Sequence, residues 1–145
     1  MTETRTTASR ALAIAGTVLV GLPLAAPIVL SAIALVATGE LHVDFLLPGE
    51  LSLVVHAGGV LLAVAALLTR RRRAPVILLT VLTAVLIGAV NLAPVLTGVG
   101  TGVGAPFGIV LGIYALYVAA VVALFVVGVL LCRDLFARPR VPAQG

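Results

Sequence analysis

Charge is scarce in this chain. Of its 145 residues 10% are charged and 62% are hydrophobic, and the mean hydropathy is +1.32. Soluble domains carry about 45 to 50% apolar residues, so a water-soluble fold is excluded. A single cysteine, Cys132, rules out an internal disulfide and any dithiol relay; a filler thiol or a juxtamembrane acylation site are the roles left to it. There are two histidines, His42 and His56, and only His56 falls in an apolar run. A bis-histidine haem needs two imidazoles facing each other across the helices, so that cofactor is excluded, and no other cofactor or metal is expected. No carboxylate lies in the hydrophobic part of any run, which removes the intramembrane acid of most proton-coupled transporters. Ser52 and His56 stand one helical turn apart, but nothing nearby orients the imidazole, and no other nucleophile sits beside a base. The chain therefore reads as a non-enzyme; an intramembrane enzyme built on His56 is a distant third reading.

What the sequence does have is length without charge. Four apolar runs, uncharged but for Glu50 at the first position of the second, exceed the 18 residues that mark a spanning helix in a bilayer about 30 Å thick: 11–37, 50–69, 74–96 and 106–131. Only helices and closed barrels satisfy their backbone in lipid, and continuous apolar runs rather than dyad alternation select the helix. The connections 38–49, 70–73 and 97–105 are too short to fold alone. The expected fold is an all-α integral membrane protein, four transmembrane helices in an up-down bundle, with residues 1–145 forming one membrane domain. The first run is about twice as long as the 7 to 15 residues of a signal h-region, so it is read as retained.

All nine basic residues are arginine, and they fall on one side. Arg5 and Arg10 precede the first span, Arg70 to Arg73 join the second and third, and Arg133, Arg138 and Arg140 follow the fourth. The other side carries Glu40, Asp44 and Glu50 and no base. Short arginine-rich loops stay inside, so both termini are expected in the cytoplasm, with the chain a multi-pass protein of a prokaryotic plasma membrane. The pI near 10.7 is then a topology signal. The expected partner of this charge is the anionic surface of the lipid bilayer, not nucleic acid.

The helix ends agree with this layout. Pro48 and Gly49 form a turn signal, Glu50 meets the positive end of the second helix, and Pro75 sits at the start of the third, where its missing N–H is harmless. Pro23 and Pro27 lie one turn apart in the first span and predict a kink. Gly104, Gly108 and Gly112, continued by Ala115 and Ala119, form a small-residue face on the fourth span where another helix can approach closely. A neighbouring helix of the same bundle is the expected occupant; another membrane protein or a second copy of the chain is the alternative. Ser52, His56, Gly59 and Ala63 on the second span, and Thr80, Ala84, Gly88 and Asn91 on the third, form comparable stripes expected to point inward. At 1.5 Å per residue, Ser31, His56 and Asn91 lie roughly 7 to 11 Å below the arginine-free surface, with Tyr114 at similar depth. These four are the candidates for a polar layer. Within it, a neutral His56 is expected to hydrogen-bond Asn91, because an imidazolium in low dielectric has no carboxylate to pair with.

The connections add little chemistry. Glu40, His42 and Asp44 have metal-ligand types but no ligand spacing. The repeat Thr97-Gly98-Val99-Gly100, Thr101-Gly102-Val103-Gly104 lacks the pore helix that a carbonyl-lined filter needs. The segment Val43-Asp44-Phe45-Leu46-Leu47-Pro48-Gly49-Glu50-Leu51, with the closing Leu130-Leu131-Cys132-Arg133-Asp134-Leu135-Phe136, resembles a group of small bacterial four-helix membrane proteins of unassigned function. That resemblance implies the same four-helix topology and brings no substrate, cofactor or site residue. The functional expectation is a structural or accessory interaction protein of the membrane; the alternative is a small transporter or permease-like protein using the polar layer. A hydrated cavity reaching Ser31, His56 and Asn91 would mark the transporter, and an exposed small-residue groove the accessory protein.

Overall fold

In the computed structural model, residues 2–38, 49–97 and 105–137 are described. Glu40, His42, Asp44, Pro48, Gly104 and the Thr-Gly-Val-Gly repeat beyond Thr97 lie outside them, as do Arg138 and Arg140. The described chain is four helices: α1 (Thr2–Thr38), α2 (Gly49–Thr69), α3 (Arg73–Thr97) and α4 (Ala105–Phe136). Each is long and apolar enough to cross a membrane. The boundaries of α2 and α3 match the apolar runs to within one residue. By contrast, α1 starts well before its run and α4 continues to Phe136. Neither Thr2 to Arg10 nor Cys132 to Phe136 holds a glycine or proline, so nothing stops helix propagation there.

Consecutive helices pack against each other, and α4 closes the ring on α1 and also touches α2 across the middle; α1 and α3 make no contact among the described residues. The inward face of each helix follows spacings of three and four residues, the pattern that holds one face toward neighbours in a bundle. On α1 it is Ser9, Ala13, Thr17, Val20 and Pro23; on α2 it is Val55, Leu62 and Ala66. Val76, Thr83 and Leu86 supply it on α3, and Tyr117, Val121, Leu124 and Leu131 on α4. Thr17 and Thr83 are buried without loss because their hydroxyls donate to carbonyls of their own helix, Ala13 at 2.7 Å and Thr80 at 2.9 Å.

The tightest crossing is between α1 and α2. A Cβ at Gly16 would stand 2.8 Å from the Gly58 carbonyl oxygen, and one at Gly58 would stand 2.8 Å from the Gly16 carbonyl oxygen. Here the two backbones touch, and only glycine allows it. This revises two sequence expectations. Among the described residues a Cβ at Gly108 or Gly112 would meet nothing within 4 Å, so the face they share with Ala115 and Ala119 is not packed on a described neighbour. The cause is rotational: that face lies about 120° to 180° around α4 from Leu124, which faces α2, at 3.6 residues per turn. The α3 stripe is likewise turned outward at Ala84, Gly88 and Asn91, and only Thr80, in contact with Gly59, meets another helix in the expected way.

Packing is also uneven along the bundle axis. Among the described side chains none is buried on α1 beyond Pro23, on α3 beyond Leu86, on α2 before Val55 or on α4 before Tyr117. The core thus fills the half nearer the arginines, while the other half is loosely joined. The helix α1 runs unbroken through Pro23 and Pro27, and its burial stops at the first of them.

Candidate functional site

Two groups of polar side chains carry what chemistry the chain offers. The first surrounds His56. Its Nδ1 lies 2.6 Å from the Ser52 carbonyl oxygen, one turn back on α2. A carbonyl only accepts, so Nδ1 carries the proton of the neutral ring and Nε2 is left as an acceptor. That Nε2 is buried and finds no donor among the described residues. Asn91 is not its partner: the Asn91 side chain is exposed and its amide donates to the Ile87 carbonyl, 2.9 Å away on the same helix. The expected pair does not form, because the α3 core ends at Leu86 and Asn91 lies beyond it, where an own-helix carbonyl is its nearest acceptor.

Ser31 and Tyr114, the other two candidates, are half-buried and lie on the stretches of α1 and α4 where no described side chain is fully buried. Tyr114 packs its ring against Tyr117, centroids 6.2 Å apart. Tyr117 itself escaped the sequence reading. It is 1% exposed, the bulkiest fully buried side chain, and its hydroxyl is buried with no hydrogen-bond partner among the described residues. Its signal was the seven-residue spacing to Leu124 and Leu131, masked by the more conspicuous glycines.

The second group is the arginine end, where α1, the α2–α3 turn and α4 converge. Arg71 Nη1 donates to the Asp134 carbonyl oxygen at 2.7 Å, and Arg72 Nε donates to Asp134 Oδ2 at 2.6 Å. Arg10 Nε donates to the Leu135 carbonyl oxygen at 3.2 Å, and its guanidinium carbon lies 5.1 Å from the Phe136 ring centroid. Two guanidiniums thus cap the last turn of α4, where unpaired carbonyls and the negative end of the helix dipole attract cations. The turn itself is strained. Arg70 and Arg72 have φ of 56° and 49°, the left-handed region that glycine normally occupies after a helix.

Among the described residues no group of three or more His, Cys, Asp or Glu side chains could hold a metal ion. Cys132 is a free thiol 3.5 Å from the Thr17 hydroxyl. No family model, curated protein or solved structure matches this chain. Its function is therefore argued from these residues alone.

Proposed function

We propose that this protein is a structural or accessory component of a prokaryotic plasma membrane, with both termini in the cytoplasm, that associates with another transmembrane helix through α4. The observation that carries the reading is the face of Gly108, Gly112, Ala115 and Ala119: all four are exposed, and among the described residues a Cβ added at either glycine would meet nothing within 4 Å. Small residues in this spacing let a second helix approach to van der Waals contact, which is the main attraction between helices in lipid. The test is cross-linking in native membranes. In a Cys132→Ala background, Ala115→Cys should give a disulfide or bifunctional-maleimide adduct, and Gly112→Leu should abolish it while the protein stays folded. No adduct from Ala115→Cys or its neighbours on that face would overturn the reading.

The buried, unpartnered Nε2 of His56 and hydroxyl of Tyr117 favour a second reading, a small transporter or permease-like protein with a path opening toward the arginine-free side. Water-borne thiol reagents distinguish the two. Reaction at cysteines replacing both Ser52 and Val55 would support a hydrated path, and protection of both would dismiss it.

A further inference from the structure

The arginine end holds a recess that the capping of α4 does not explain. Its volume is about 340 Å³, and it opens between the start of α1, the end of α2 and the tail of α4. Arg10 and Arg71 line it, each held in place by a hydrogen bond to a terminal carbonyl of α4. A guanidinium carries five N–H donors in a planar fork, so one bond to a carbonyl leaves it able to grip an oxyanion. Ser9 and Thr69 belong to the same lining; Ser9 is buried behind it, whereas Thr69 is half-buried and its hydroxyl already spends its proton on the own-helix Ala65 carbonyl at 2.8 Å. What Thr69 presents is lone pairs. Leu68 and Leu135 give the recess an apolar side.

The lining therefore offers donors for an anion, acceptors for a hydroxyl and apolar surface for a hydrocarbon. Charge selects further. Asp134 also lines the recess, but Arg72 pairs with its carboxylate through Oδ2, so the two arginines of the lining leave the surplus positive. The recess also lies beside the ends of the apolar runs, at the depth of lipid headgroups.

We propose that this recess binds the phosphodiester headgroup of an anionic, hydroxyl-bearing phospholipid of the phosphatidylglycerol type. Arg10 and Arg71 take the phosphate oxygens, Thr69 accepts from a headgroup hydroxyl, and Leu68 and Leu135 meet the start of the acyl chains. This differs from general attraction of arginines to a negative surface, because it assigns different roles to arginines of equal charge.

The experiment is a thermal-shift titration of the full chain in mild detergent at about 0.5 M salt, where screening shortens below ~5 Å. The added probes are phosphatidylglycerol, phosphatidylethanolamine and inorganic phosphate. Phosphatidylglycerol should raise the midpoint saturably, at lower concentration than phosphatidylethanolamine, and inorganic phosphate should not displace it. Arg10→Gln and Arg71→Gln should each raise the half-saturating concentration at least about tenfold, as expected for losing a hydrogen bond to a charged group. Arg73→Gln, which removes the same charge outside the recess, should leave it unchanged. If Arg71→Gln does not fold, Arg71→Lys keeps the charge and loses the fork, and should still weaken phosphatidylglycerol. Equal stabilisation by the two lipids, an equal loss in Arg73→Gln, or displacement by inorganic phosphate would each overturn the proposal, the last in favour of a free anion.

Discussion

Replacing Gly58 with alanine places one methyl group at the closest helix crossing in the chain. The added carbon would stand 2.8 Å from the Gly16 carbonyl oxygen and from Val20 Cγ2, and 3.0 Å from Leu19 Cβ. Non-bonded carbons rest about 3.5 to 4.0 Å apart, so α1 and α2 must separate by several tenths of an ångström at least, and a backbone carbonyl cannot rotate aside as a side-chain tip would. Overfilling of this kind costs about 1 to 3 kcal/mol. Alanine in a helix gives back up to about 1 kcal/mol over glycine, leaving a net loss of up to about 2 kcal/mol and a gap of about 1 to 3 kcal/mol below a variant in which only the helix preference acts. Gly112→Ala is the internal control, because nothing lies within 4 Å of its new methyl and only the helix preference acts. Equilibrium unfolding in mixed micelles, titrated with a denaturing detergent, should rank Gly112→Ala at or above the parent and Gly58→Ala below it. The double variant Gly16→Ala/Gly58→Ala should lose less than the sum of the singles by at least about 0.5 kcal/mol, since both methyls force the same separation. A Gly58→Ala protein as stable as Gly112→Ala would refute the close crossing.

Other consequences are equally measurable. In a Cys132→Ala background, single cysteines at Gly39 and Gly102 should react with a membrane-impermeant thiol reagent in intact cells, and one at Arg71 should not; the opposite pattern would invert the topology. Arg70→Gly should raise stability in detergent by about 1 kcal/mol, because glycine adopts the left-handed conformation of that turn without strain, and a destabilised variant would mean the Arg70 side chain is holding something. His56→Phe should be neutral or stabilising by about 1 kcal/mol, since it removes a buried acceptor with no donor among the described residues; a marked loss of stability would show that Nε2 has a partner.

The number and order of the helices were legible because lipid leaves a chain few options and each apolar run had to be a helix, but charge did not stop them: α1 runs through Arg5 and Arg10 and α4 through Arg133 and Asp134. Rotation of the helices was harder to read. In a soluble bundle the apolar stripe marks the core, but here every face is apolar, and small residues became the only guide. Small size permits contact without requiring it. Gly58 and Gly108 look alike in sequence, yet one lies against a backbone and the other against nothing among the described residues. The His56–Asn91 pair is absent for a related reason: residues at a similar position along two helices meet only where the helices are packed, and on α3 the buried side chains end at Leu86, before Asn91. The arginine end was read as a topology signal, and its hydrogen bonds to the tail of α4 could not be foreseen because five residues of that helix beyond Leu131 were not assigned to it.

The contact pattern also bears on how the chain is made. α4 is the last of the four helices to leave the ribosome, and it is the one that joins α1 to α3, touching both of them as well as α2. Until it arrives, α1, α2 and α3 form an open row whose outer members do not meet among the described residues, and Tyr117, Leu124 and Leu131 are not yet there to fill the gap. Assembly in the membrane is therefore completed in one late step. A nascent chain released after Thr97 would be left with an unfilled core facing lipid, and membrane proteases should clear it far faster than the finished protein.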